Sequence, residues 1–304
     1  GFPNPAHYAP GKRLGYKDIK MACSSIGSAS QVVADYIEDG TVTGLTTSGI
    51  RDRIGEAVSN GKLKDVAVLR SHGGRVRAIE EGSIVIDIAF IGAPSSDEYG
   101  NASGKNGKNN CGSLSYAETD AMYAKHVVVV TDTLVPFPNK PSHIEGVYVD
   151  YVVTVDEIGN NKKIASAAAR ITTNPKDLKI AEDCVKAMVA MPYFKDGFSF
   201  QTGVGGPSIA TTLFLREELK ERNMKMGWIV GGISTPMVEM MKDGLVNCIA
   251  DVQDFDTGAV ASLGTDPRHF DISAAEYANP FSKGAFINKL DYVILAALEV
   301  DTSF

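Results

Sequence analysis

The chain has 304 residues, 44% of them apolar and 22% charged, with a formal net charge of −7. That length is generous for a single core and suggests two domains of ordinary size. An acidic balance with no Lys/Arg cluster longer than a pair argues against nucleic acid or an anionic membrane as partner.

In chain order, residues 1–13 are rich in Pro and Gly and read as an extended arm. A βαβ rhythm follows: a strand over 20–25, a helix over 31–38 closed by Asp39-Gly40, a strand over 42–46, and a helix over 51–59 stopped by Gly61. A strand over 66–69 runs into Ser71-His72-Gly73-Gly74-Arg75. Residues 84–91 make a near-continuous apolar run, the kind buried on both faces of a parallel sheet. A Gly/Asn/Lys-rich loop over 100–113, a helix over 114–123 and a strand over 127–130 come next. Pro136, Pro138 and Pro141 form a rigid connector before a strand over 149–155. After an irregular stretch over 159–175, an amphipathic helix over 175–191 carries Ile180, Cys184, Ala187 and Met191 three or four apart. The first domain is thus expected over 14–192 and the second over 193–304.

The second domain opens on an aromatic-rich strand over 197–202 that runs through Gly203-Val204-Gly205-Gly206-Pro207 into a helix over 208–221. Glycines at such a turn let backbone N–H groups approach a negative atom, and the helix N-terminus adds its positive end. A phosphate fits this arrangement, and so does the oxyanion of an acyl group under attack. A tight turn without function is the third reading. The dinucleotide fingerprint wants a third glycine where Ser208 stands, and Pro207 has no N–H to donate, which argues against nicotinamide or flavin.

Cys23, Cys111, Cys184 and Cys248 stand far apart without CxxC spacing and read as reduced thiols of a cytoplasmic protein. The five histidines are equally scattered, so a metal held by the protein is not expected. No apolar run has the length of a membrane span, and no basic patch followed by an apolar core opens the chain.

A faint duplication runs through the sequence. Asp39-Gly40-Thr41-Val42 returns as Asp243-Gly244-Leu245-Val246, an offset of 243 − 39 = 204. Asp87, Ala93 and Asp97 find Asp291, Ala297 and Asp301 at the same offset, which points to two similar α/β domains. The second copy stops at Phe304, inside the motif that the first copy continues, and nothing before Asp18 matches the strand and glycine loop over 197–208. The sequence therefore reads as incomplete at both places.

The runs Thr47-Ser48-Gly49-Ile50-Arg51, Arg70-Ser71-His72-Gly73-Gly74-Arg75, Ala93-Pro94-Ser95-Ser96-Asp97-Glu98-Tyr99-Gly100-Asn101 and Cys111-Gly112-Ser113-Leu114 carry a resemblance. So do the run from Tyr193 to Gly203, Asp251-Val252-Gln253-Asp254-Phe255-Asp256 and Ala297-Leu298-Glu299-Val300-Asp301. Together they resemble the coenzyme A transferase superfamily and, within it, the citrate lyase alpha-subunit family. The resemblance implies an α/β fold of two related coenzyme A transferase-like domains with mostly parallel sheets, the second copy incomplete in this chain. It also implies a transferase that exchanges acetyl for citrate on a carrier-protein thioester, giving citryl thioester and acetate. The thiol would be that of a phosphoribosyl-dephospho-coenzyme A group on an acyl-carrier subunit, with acetyl-coenzyme A as a substitute and no cofactor bound covalently to this chain. A citryl-lyase subunit would complete citrate cleavage, in an oligomer. A transferase or hydrolase for another acid, such as citramalate, and a non-catalytic coenzyme A-binding or scaffold module are the alternatives.

On this resemblance Gly205 and Gly206 are the expected oxyanion donors, with Gly203 in the same loop. Citrate carries about three negative charges near neutral pH. Arg51 and Arg75 follow strand ends and are candidates to bind it, against the alternative of surface charges. His72, Gly73, Gly74 and Asn101 complete the candidate substrate-binding set, His72 reading equally as a structural turn residue. Other superfamily members carry a nucleophilic glutamate after the second strand of the second domain. Here that region reads Ile229-Val230-Gly231-Gly232-Ile233, so direct attack by bound citrate through a mixed anhydride is expected, with Gly231 and Gly232 leaving it room. Glu299, at the end of an expected buried strand, is the alternative nucleophile.

Overall fold

β2 (Val42–Thr47) is buried along nearly its whole length and lies between β1 (Ile19–Ala22) and β3 (Ala67–Leu69) in a three-stranded parallel sheet. A strand enclosed in this way needs helices over it. α1 (Val33–Glu38) and α2 (Asp52–Ser59) supply them, packing Val33, Ile37 and Ile54 against Met21, Val42 and Leu45. α1 stops at Asp39-Gly40 because Gly40 adopts φ +76°, a left-handed value that costs glycine little. The computed structural model describes residues 15–26, 31–164, 171–203, 205–297 and 299–304; the arm expected over 1–13 lies outside them.

Past β3, the run Ser71-His72-Gly73-Gly74-Arg75 opens a helix. Ser71 caps α3 (His72–Glu80), its hydroxyl accepting from Gly74 N at 3.0 Å, and the glycines form the first helical turn. β4 (Ile88–Ala93) follows, then the two-residue antiparallel pair β5 (Ser95–Ser96) and β6 (Ala102–Ser103), α4 (Ser115–Tyr123), β7 (His126–Thr131) and β8 (Tyr151–Thr154). β4, β7 and β8 pair side by side as a second parallel sheet. The apolar run expected to be buried on both faces over 84–91 departs from that reading. The strand starts at Ile88 and alternates, with Ala89 and Ile91 buried while Ile88 and Phe90 stand 51% and 45% exposed. α4 packs on β4, and one covered face leaves the period of two visible.

The second unit runs through α5 (Pro175–Ala190), β9 (Ser199–Thr202), α6 (Gly206–Glu221), β10 (Met226–Ile233), α7 (Thr235–Lys242), β11 (Val246–Asp254), α8 (Thr257–Leu263), β12 (His269–Asp271) and β13 (Tyr292–Ile294). Its five strands are parallel, in the order β12-β11-β10-β9-β13, around a core that includes Met188, Phe198, Phe200, Leu215 and Ile229. α5 buries Ala181, Val185 and Met188, a stripe one residue on from the expected one, and leaves Ile180 and Met191 exposed. Both stripes are apolar, and contact with α6 selects between them. That contact also draws residues 160–192 into the second unit, although the sequence suggested the first. α9 (Ala274–Ala278) belongs instead with the first unit, where it lies against α3: a Cβ on Gly73 would stand 1.7 Å from the Ala278 carbonyl oxygen.

The offset of 204 recurs in the elements themselves. β2 starts at Val42 and β11 at Val246, α2 ends at Ser59 and α8 at Leu263, and β4 starts at Ile88 and β13 at Tyr292. Gly40 and Gly244 terminate their helices with φ of +76° and +77°. In the second unit β9 joins β10 to β13. Among the described residues the first unit carries two three-stranded sheets and the short β5-β6 pair, where the second carries one sheet of five strands. No helix among the described residues is long and apolar enough to cross a membrane.

Candidate active site

The strand order of the second unit points to a site. From β9 the chain winds outward through β10, β11 and β12, and the last strand returns to the other side of β9. Sequence-adjacent strands therefore diverge at β9, and ligands of open α/β sheets bind outside the carboxyl ends of the strands at such a switch point. Gly203, Gly205 and Gly206 lie at that end of β9. Gly203 N donates to Ile294 O of β13 at 2.8 Å, Gly205 takes φ +124°, and α6 begins at Gly206 with Ile209 N bonded to Gly205 O at 3.1 Å. The loop is covered closely. A Cβ on Gly206 would lie 2.8 Å from Thr172 Cβ and 3.1 Å from an Asp177 carboxylate oxygen, and Thr172 Oγ1 donates to Asp177 at 2.8 Å.

β10 ends beside this loop in an irregular register: Gly231 faces Asp251 and Gly232 faces Gln253, so β11 carries an extra residue. Gly231 adopts φ +107°. The space at these glycines is not open in the way the sequence suggested. A Cβ at 231 would meet the Gln201 amide nitrogen at 3.0 Å, and one at 232 would meet the Phe255 ring at 2.0 Å.

The extra residue on β11 has a second effect. Asp251 and Asp254 are an odd number of positions apart and would point to opposite faces of a regular strand, but the bulge restores both to one face. There they join His269 of β12 in a buried group whose ligand atoms lie within 4.8 Å of one another. His269 Nε2 and Asp251 Oδ2 are 2.9 Å apart, and Ser113 N donates to Asp254 Oδ2 at 2.8 Å. Burial, and then the Asp251 charge, push the Asp254 carboxyl well above its ordinary range, which favours its protonated form. Gly112 permits this seat, because a Cβ there would stand 1.7 Å from the Asp254 carboxylate. The sequence contained Asp251-Val252-Gln253-Asp254 in plain view, but a spacing of three says nothing of pairing until the bulge is known.

Glu299 is exposed and lies beyond β13 in a stretch without strand or helix, so it does not end a buried strand. The remaining candidates belong to the first unit. Arg51 is exposed at the start of α2. Arg75 is 2% exposed, and its Nη2 donates to Asp120 at 2.7 Å and to the Ala22 carbonyl at 3.3 Å, which ties the side chain into the fold away from solvent. Asn101 is also buried. Its amide donates to Asp97 at 2.8 Å, and its Oδ1 accepts from Gly146 N at 3.1 Å. His72 packs at 5.1 Å from the Tyr116 ring, and burial lowers its pKa. Gly73 serves the approach of α9, and Gly74 the cap of α3.

The sequence profile of the family described as "Citrate lyase, alpha subunit (CitF)" matches residues 11–304. Citrate lyase alpha chains from Escherichia coli (strain K12) and Haemophilus influenzae are each 44% identical over 96% of this chain, and the alignments cover 57% and 58% of those proteins. The chain thus spans just over half the length of the curated relatives it matches. A crystal structure from Streptococcus mutans, named as a candidate alpha subunit of citrate lyase in complex with citrate, shares 50% identity with a TM-score of 0.95. It covers 100% of this chain and 60% of its own. A malonate decarboxylase alpha subunit from Acinetobacter baumannii, at 18% identity and a TM-score of 0.63 over 84% of this chain and 46% of its own, shares the fold.

Proposed function

The chain belongs to the citrate lyase alpha-subunit family, and from that premise we propose that it exchanges acetyl for citrate on a carrier-protein thioester. The observation that carries this reading is the glycine loop at the switch point of the five-stranded sheet, in a chain whose relative was crystallised with citrate. A carboxylate of citrate attacks the acetyl thioester carbonyl. The oxyanion that develops needs donors, and the N–H groups of Gly205 and Gly206 are assigned that role. Collapse breaks the C–S bond, releases the thiolate and leaves a mixed anhydride of citrate and acetate. The thiolate then attacks the citryl carbonyl, acetate departs, and citryl thioester is formed with every atom accounted for. Gly231 and Gly232 supply no acid for a glutamyl intermediate, which supports direct attack. The thiol belongs, on this reading, to a phosphoribosyl-dephospho-coenzyme A arm on the acyl-carrier subunit. A citryl-lyase subunit takes the product in a cytoplasmic assembly. Exposed Arg51 is retained as a candidate citrate-binding group.

The test is incubation of the full-length protein with radiolabelled acetyl thioester and citrate. Citrate-dependent release of labelled acetate, with no acyl or thioester adduct on any carboxylate by peptide mapping, is the expected result. An adduct on Glu299 restores a covalent route, and exchange with citramalate but not citrate reassigns the acid.

A further inference from the structure

What stands beside Gly231 is the side chain of Gln201. β9 and β10 are neighbours, and Gln201 lies on β9 two positions before Gly203. Its Cγ, Cδ and Nε2 run 3.3, 3.2 and 3.0 Å from the point where a Cβ at 231 would sit. With φ at +107° and a strand irregularity at 231–232, this position is held for glycine, and the volume it vacates goes to a neutral amide. That amide is only partly buried and lies at the same carboxyl edge of the sheet as the glycine loop.

We propose that Gln201 is a substrate-binding residue whose amide N–H donates a hydrogen bond to a carboxylate of the acid substrate, fixing which carboxylate faces the thioester carbonyl. The inference rests on the exchange reaction proposed above and adds the group that orients its nucleophile. Two features of an amide suit the role. It can donate to an anion without adding a fixed charge that would hold every carboxylate alike. It is also no competitor for the thioester, whereas a carboxylate side chain in this seat would be a nucleophile in its own right and would repel a bound acid. The vacancy at 231 and the amide at 201 are thus two halves of one arrangement that leaves the attack to the bound acid.

The test uses the full-length protein with acetyl-coenzyme A as thioester and citrate as acid. Gln201→Met keeps the volume and removes the donor. It is expected to raise the citrate KM by about tenfold or more, the range for a lost hydrogen bond to a charged group, and to leave the thioester KM within about twofold. Gln201→Glu is expected to lose about a hundredfold in kcat/KM for citrate near neutral pH and to recover part of it, relative to wild type, as pH falls and the carboxyl regains a proton to donate. If Gln201→Met does not fold, that relative recovery in Gln201→Glu decides alone. Folded variants with an unchanged citrate KM and no relative recovery sink this proposal and leave the exchange reading standing. A wild type that transfers acetyl to no carboxylic acid sinks both.

Discussion

Gly205 holds φ +124°, a conformation that an L-residue resists, in the loop to which the proposed mechanism assigns the oxyanion. Gly205→Ala is therefore expected to reduce acetyl exchange by about a hundredfold, the usual cost of a displaced oxyanion donor, and to cost about 1–3 kcal/mol of stability through the strained backbone. A variant with wild-type turnover would remove this loop from the chemistry. Asp254 makes a different prediction. Its carboxyl is raised by burial and by Asp251, so the folded chain holds the proton more tightly than the unfolded chain does. The stability this contributes is complete below the ordinary carboxylate pKa of 3.8 and is lost as pH rises through the folded value. Asp254→Asn mimics the protonated acid and cannot ionise. Melting temperatures measured between about pH 5 and 9 should show the wild type losing ground to this variant as pH rises. Parallel curves would mean that burial does not raise the Asp254 carboxyl.

At the scale of elements, α3 and α9 approach so closely that a methyl group at position 73 meets the Ala278 carbonyl at 1.7 Å. Gly73→Ala should cost about 1–3 kcal/mol in denaturant unfolding. Its effect on the citrate KM should be small, which would separate packing from the substrate-binding role that the sequence suggested. Arg75→Ala should cost more, about 3–5 kcal/mol, because it leaves Asp120 without its partner. These two residues show where sequence reading reaches and where it stops. The helix ending at Gly40 and the strand starting at Val42 were legible because glycine termination and apolar period are local signals, and the offset of 204 pointed to their recurrence at Gly244 and Val246. The glycine loop was legible for the same reason. The stripe of α5, the exposed face of β4 and the destination of the Arg75 guanidinium depend on which element packs opposite, and no local pattern encodes that. The Asp251–Asp254–His269 group required one extra residue in β11, which shifts side-chain parity without changing composition.

At the scale of the whole chain, the two units repeat one plan with unequal sheets, and their resistance to opening should differ. β10 sits inside a five-stranded sheet with hydrogen-bonded neighbours on both sides and Met226, Ile229, Val230 and Ile233 at 0% exposure. β7 is also a central strand, but its sheet has three strands, and residues on both of its neighbours, Ile88, Phe90, Tyr151 and Val153, are exposed. Local opening is cheaper where fewer buried apolar contacts must be broken, so protection against hydrogen exchange should follow burial. Amides of 226–233 and 246–254 are expected to be the slowest in the chain, exchanging only with global unfolding of the second unit. Amides of 88–93 and 151–154 should exchange through local openings at lower denaturant. Mass-resolved exchange on the 304-residue chain distinguishes the cases. Equal protection of 126–131 and 226–233 would mean that the three-stranded sheet gains its stability from something other than its own buried surface.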